Sequence, residues 1–310
     1  MRDNRFHGRN VLLMRDVEIV TTKDRYRAGE TVEGTMFVRC DKELRCNAIH
    51  LTFTGREHTK IEVGDSESST TYKDERVYFT VRQDFEGAAV VAAGEVQYPF
   101  RFRLPDDVPS SYSGLCGWIE YTLTGVVELS WARDLRRKTT LSVIQPAKKP
   151  ASQSQHMALD RSGRSVTDTE LAVFDVELEE DSICLGNPIK LRFRVARDVK
   201  TRGVRVELQN EEFTSARRIT DKRRWTLSQH FVEELELGRE IWVSVKLGTD
   251  DSMPVSFDRA IVRSAASIKA TLDIPWARDI SAVIPVRLSH RAGAYAGDNN
   301  DEAGSDWEFM

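Results

Sequence analysis

Residues 94–131 read GEVQYPFRFRLPDDVPSSYSGLCGWIEYTLTGVVELSW, from Gly94 to Trp131, and this stretch decides the fold class. Val96, Tyr98, Phe100, Phe102 and Leu104 alternate with Gln97, Arg101 and Arg103, the period-two pattern of a strand with one buried face. Helical spacing groups them badly. Pro105 and Pro109 cannot donate ladder hydrogen bonds and end the strand, while Ser110, Ser111, Ser113 and Gly114 supply turn chemistry. Alternation resumes through Ile119, Tyr121, Leu123, Gly125, Val127, Leu129 and Trp131, which places Trp131 on the buried face of a strand tall enough to cross a sandwich. The order is strand, loop, strand.

The same pattern extends in both directions. Upstream, Val32, Gly34, Met36, Val38 and Cys40 alternate, a charged turn follows at Asp41–Glu43, and Ile49, Leu51 and Phe53 continue, with His50 read as facing solvent. The polar run from Gly64 to Glu75 reads as a loop or hairpin tip, and Val77, Phe79 and Val81 restore the alternation. Leu141 and Val143 form a last strand, closed by Gln145 and Pro146.

Four ordered blocks give this half a family resemblance. Tyr26-Arg27-Ala28-Gly29-Glu30-Thr31-Val32-Glu33-Gly34 is similar to a Tyr-x-x-Gly-Glu-x-Val-x-Gly hairpin, and Ile49–Glu57 follows it. Then come Tyr98-Pro99-Phe100-Arg101-Phe102-Arg103-Leu104-Pro105, and the Pro109-Ser110-Ser111 loop with the Ile119-Glu120-Tyr121 strand. In this order they resemble the arrestin N-terminal domain. The resemblance implies an all-β protein of two tandem antiparallel immunoglobulin-like β-sandwiches in the arrestin arrangement. It also implies a non-catalytic adaptor or scaffold whose partners are proteins, namely cytoplasmic tails of membrane proteins or sorting machinery. Adjacent prolines, the basis of Pro-Pro-x-Tyr ligase-recruiting elements, are absent. The paired lysines of the first strand and the clathrin-binding pattern are missing too, so neither phosphate sensing nor ligase recruitment transfers with the fold.

Composition bounds the rest. A chain of 310 residues fits two domains, and 40% hydrophobic with 30% charged residues describes a packed globular protein rather than a disordered or membrane-spanning one. No signal-like segment is read at the polar N-terminus, so the expected location is cytoplasmic, peripheral at membranes. Cys40, Cys46, Cys116 and Cys184 include no Cys-x-x-Cys pair and have no histidine at metal-ligand spacing, so reduced thiols, no metal and no cofactor are expected. Residues 298–310 hold Asp298, Asp301, Glu302, Asp306 and Glu308 without a basic side chain, which accounts for the net charge of −4 and leaves the body near neutral. A nucleic-acid footprint is not supported.

The expected divisions are a first sandwich at 1–146, a linker at 147–168, a second sandwich at 169–292 and an acidic tail at 293–310. Alternation returns after the linker: Phe174 to Leu178, Ile189 to Val195, Val204 to Leu208, Ile241 to Leu247, Ile268 to Ile274 and Ile284 to Leu288. Trp131-Ala132-Arg133-Asp134 recurs as Trp276-Ala277-Arg278-Asp279, each time between two strands. A duplicated sandwich explains this economically.

Catalytic constellations are not found: there is no nucleophile elbow, phosphate loop, zinc-helix motif or calcium loop. The histidines are scattered, and Trp118, Trp131 and Trp276 read as structural. Three charged groups are candidate contacts. Arg133, Arg136, Arg137 and Lys138 read as a solvated basic turn or, less simply, an anion site. Arg217, Arg218, Lys222, Arg223 and Arg224, beside Trp225, could meet anionic lipid or an acidic peptide, or form an exposed hairpin tip. Asp306, Trp307 and Phe309 resemble an acidic-aromatic docking motif, and the tail could fold back on the basic body. Self-assembly into a coat, carbohydrate binding and loop-based catalysis are the alternatives to the adaptor.

Overall fold

The structure is a computed structural model and describes residues 15–64, 68–145, 152–168, 170–237 and 240–291. The first half contains β1 (Arg15–Thr21), β2 (Arg25–Arg27), β3 (Thr31–Cys40), β4 (Leu44–Gly64), β5 (Ser69–Glu86), β6 (Ala89–Val91), β7 (Gly94–Arg103), β8 (Tyr112–Ser113), β9 (Gly117–Leu129) and β10 (Leu135–Ile144). One sheet has the order β1-β3-β7, and the facing sheet β2-β10-β9-β4-β5, with β6 on β4 and β8 on β9. The two strands of the 94–131 segment therefore lie in opposite sheets, and the proline-rich loop carries the chain between them. Tyr98, Phe100, Phe102 and Leu104 from one meet Ile119, Tyr121, Leu123 and Val127 from the other in a single core.

The second half contains β11 (Gln155–Leu159), β12 (Ser165–Val166), β13 (Phe174–Leu178), β14 (Ser182–Cys184), β15 (Ile189–Val195), β16 (Gly203–Ala216), β17 (Ile219–Glu233), β18 (Val243–Leu247), β19 (Phe257–Asp258), β20 (Val262–Asp273) and β21 (Ile280–Ser289). Its sheets are ordered β12-β11-β13-β15-β18 and β14-β21-β20-β16-β17, with β19 on β20. Around Phe174, Phe193, Leu208 and Ile268 they enclose a second core. Apart from β6 in the first half and β11 and β12 in the second, the plan of the second half repeats that of the first strand for strand. Even the odd feature recurs: three-residue β2 pairs in parallel with β10, and three-residue β14 with β21.

Several expectations are corrected. The Tyr26–Gly34 block is no hairpin: β2 and β3 belong to different sheets, and the chain crosses between them at Gly29 (φ 83°), as it does again at Gly186 (φ 86°). Only glycine adopts such a φ without strain. The stretch 147–168 contains β11 and β12, because Gln155–Leu159 finds a ladder partner in β13. His50 is buried beside Glu128 at 3.7 Å, since a register shift at Ile49/His50 breaks the alternation of β4 against β5. Trp131 and Trp276 are 97% and 103% exposed; β9 ends at Leu129, so Trp131 keeps the phase of the strand without being in it. All four cysteines are unpaired. The acidic tail, with Asp306, Trp307 and Phe309, lies outside the described residues.

Candidate functional site at the junction of the two sandwiches

The inward faces of β4 and β16 change character along their length. In β4 the sequence of inward residues runs Leu51, Phe53, Gly55, Glu57, Thr59; in β16 it runs Val206, Leu208, Asn210, Glu212, Thr214. An apolar phase that continues into Glu-x-Thr carries polar groups into a buried position. Glu57 and Glu212 are each 1% exposed, and Thr59 and Thr214 are buried beside them. These equivalent ends of the two long strands meet, and the sandwiches join there.

The contacts across the junction are reciprocal. Cys116 N–H donates to Glu212 Oε1 at 2.7 Å and Tyr112 Oη to Glu212 Oε2 at 2.8 Å. In the other direction, the Ile261 backbone amide favours the charged form of the Glu57 carboxyl, whose Oε2 is buried without a hydrogen-bond partner among the described residues. Cys116 and Ile261 are equivalent positions, each just before the strand start at Gly117 or Val262. Residue i of one half thus meets residue j of the other, and j meets i, the arrangement of a two-fold interface built within one chain. Near the axis Gly117 faces Val262: a Cβ on Gly117 would lie 2.8 Å from both Val262 methyls and 2.9 Å from that of Thr214.

Further bonds lock the joint. Thr59 Oγ1 donates to Ser215 O at 2.9 Å, and Arg259 reaches Asp107 O and Gln145 Oε1, each at 3.4 Å. Ile261 and Val262 are part of the first core, and the Tyr112 ring meets Phe257 edge-on at 4.9 Å. Ser264 Oγ donates to fully buried Asn210 Oδ1 at 3.0 Å. A cavity of about 250 Å³ beside the joint is lined from both halves, by Arg25, Ser111 and Ser142 and by Asp251 and His290.

Burial sets the electrostatics. Desolvation pushes the Glu57 carboxyl above the usual carboxylate range, although Tyr78, the Ile261 amide and Arg259 pull the other way. Desolvation, with the Glu212 charge adding to it, also raises the Tyr112 phenol, which stays a hydrogen-bond donor. A raised carboxyl pKa stabilises the fold fully below the unfolded-state value and loses that contribution as pH rises through the folded-state value. Glu57→Gln is therefore expected to gain urea resistance over the native chain, by a margin that widens from pH 4.5 towards pH 7. A margin constant across that range would contradict the assignment.

The basic group beside the joint is mostly neutralised. Lys222 pairs with Glu211 at 2.9 Å, Arg224 donates to Glu211 through Nε at 3.0 Å, and Arg223 reaches Asp221 at 2.6 Å. Arg217 and Arg218 form the two-residue β16–β17 turn with φ of 49° and 74° and enter no ion pair among the described residues. Such a turn favours Asn-Gly, and each non-glycine residue there costs roughly 1 kcal/mol. The double change Arg217→Asn, Arg218→Gly should raise the melting temperature by a few degrees in calorimetry, and an unchanged value would show the turn to be relaxed. Of the other basic residues, Arg133 lies in a turn, while Arg136 and Lys138 lie on β10 and pair with Asp134 (3.1 Å) and Glu120 (3.7 Å).

The structure thus defines an all-β protein of two like sandwiches fused through a buried polar two-fold joint. Residues 15–149 match the family described as arrestin (or S-antigen), N-terminal domain, so the chain carries an arrestin-type N-terminal domain and its fold is arrestin-like. It is similar to arrestin domain-containing protein 17 of Caenorhabditis elegans, 26% identical over an alignment of 132 residues that covers 38% of this chain and 31% of that protein. Human arrestin domain-containing protein 4 is 27% identical over 132 residues (38% and 32%), and human arrestin domain-containing protein 1 is 26% identical over 122 (39% and 27%). The matched region spans about a third of the length of these relatives. Among the described residues no helix is long and apolar enough to cross a membrane, and no group of His, Cys, Asp and Glu could hold a metal ion.

Proposed function

We propose that this chain is a non-catalytic arrestin-like adaptor that binds extended segments of protein partners, such as cytoplasmic tails of membrane proteins or parts of sorting machinery. The supporting observation is the outer edge of β5. This 18-residue strand ends its sheet, pairs only with β4 among the described residues, and exposes Val77 (54%) and Val81 (45%). An open edge of that length offers a row of backbone donors and acceptors to an added strand. The second sandwich has a similar edge among the described residues, that of β17.

Proximity labelling in the native cell, followed by amide exchange on the purified chain with the recovered tail peptide, tests the reading. Slowed exchange along β5 or β17 is expected. Recovery of metabolic enzymes alone, or protection confined to other surfaces, would sink it. Concentration-dependent growth in size-exclusion chromatography would assign the same edges to self-assembly instead.

A further inference from the structure

The edges of the first sandwich are not equally open. The ladder between β4 and β5 slips twice, between Ile49 and His50 and between Gly55 and Arg56, and each slip leaves one residue of β5, Phe85 and then Tyr78, without a partner on β4. A bulge of this kind bends an edge strand and stops further pairing along it. Residues 79–84 are therefore a bracketed window of regular strand. The window holds no lysine or proline, the residues that ordinarily guard an edge. On the facing sheet the neighbouring edge is β7, where Pro99 brings no N–H and its carbonyl already accepts the Gln83 side-chain amide at 3.4 Å. Of the two edges on this side, β5 is the open one.

What the window presents decides what fits it. Val81 is the cross-strand partner of fully buried Phe53 and shares its inward face, yet it is 45% exposed, because β5 ends its sheet. Thr80 and Arg82 face outward opposite Thr54 and Thr52, and Arg82 is paired with Asp84 at 2.7 Å. The window is thus apolar on its inner side and neutral on its outer side. The same height of β17 differs: Leu208, which stands where Phe53 does, pairs with Ser228, and Val206 pairs with His230. Polar side chains replace the apolar anchor there.

We infer that residues 79–84 take an uncharged extended segment of a partner protein, with an apolar side chain set beside Val81 over the edge of the core. Neither phosphorylation nor an acidic sequence is needed. Backbone hydrogen bonds supply affinity, and the apolar contact fixes the register, since a slip of one residue would turn that side chain to solvent. A second copy fits less well: two-fold pairing about Val81 would set the bulged Tyr78 against Asp84 and shorten the ladder. The inference rests on the adaptor reading, which it narrows from two edges to one window.

The test pans a display library of short random peptides against the full chain, with no cellular partner involved. Recovered peptides should be uncharged with apolar residues at alternate positions, and amide exchange with a synthetic copy should slow at 79–84 alone. Val81→Lys should weaken that peptide roughly tenfold or more, since the apolar contact is lost and a charge enters the edge. Val81→Thr, of similar shape, should weaken it less, and Ser228→Lys on β17 should leave affinity unchanged. Affinity should hold from low to high salt, and a phosphate added to the peptide should not raise it. Val81 is exposed, so equal thermal unfolding of the variants will show the fold intact. No selected peptide, protection on β17, acidic peptides that salt releases, or size-exclusion growth that Val81→Lys abolishes would each overturn the proposal. Cellular tails that protect β17 alone would leave the adaptor standing and remove this window. A selected peptide seated on the window, with only metabolic enzymes labelled in the cell, would do the reverse.

Discussion

Gly117→Val is expected to cost about 3 kcal/mol in urea unfolding. Gly117 sits where the two halves of the joint face each other, and its absent side chain is what admits Val262. A first carbon there already lies 2.8 Å from two methyls of a residue that is 1% exposed, and a β-branched side chain cannot rotate clear. The strain has two outlets, repacking of Val262 or separation of the sandwiches. Separation would strip the Tyr112 and Cys116 donors from Glu212 and open the apolar faces around Val262 to water. Gly87→Val is the control, because a Cβ at Gly87 would meet nothing within 4 Å. Equal midpoints for the two variants would mean that the joint is looser than its geometry.

Phe53→Ala is expected to cost about 3–5 kcal/mol, as is usual for a buried aromatic truncated to a methyl. The Phe53 ring is fully buried, with Phe79 at 5.0 Å and Phe102 at 5.7 Å, and so ties β4 to β5 and to the facing sheet. Phe193→Ala, beside Phe174 at 6.1 Å, is its counterpart in the second sandwich. Since Ile261 and Val262 complete the first core from the second half, both variants should unfold in a single transition seen alike by tryptophan fluorescence and circular dichroism. Two separated transitions would show that the halves fold independently.

Alternation made β7 and β9 readable because each keeps one face on a core. Tyr98, Phe100, Phe102 and Leu104 are buried as their spacing implies. The same rule misplaced Trp131, since phase persists on paper past the residue where the chain turns. It misplaced His50 because a register shift makes three consecutive residues of β4 inward or covered. The linker reading failed on a five-residue strand too short to show a period. The joint itself left a faint trace, the Glu-x-Thr that follows the apolar phase in β4 and in β16. Alone, each Glu reads as solvated, and only the crossing of two strands far apart in sequence puts them out of water.

The parallel pairing of β2 with β10 and of β14 with β21 also bears on biogenesis. Each pairing ties a short early segment to the last strand of its own sandwich, so neither sandwich can close on the ribosome until that last strand has emerged. For the first this is residue 144 and for the second residue 289. Even then the earlier half lacks Ile261 and Val262, and translation must proceed far into the second half before the first is sealed. The nascent chain consequently passes through a long interval with apolar surface uncovered, the condition under which chaperone engagement and mispairing compete with folding.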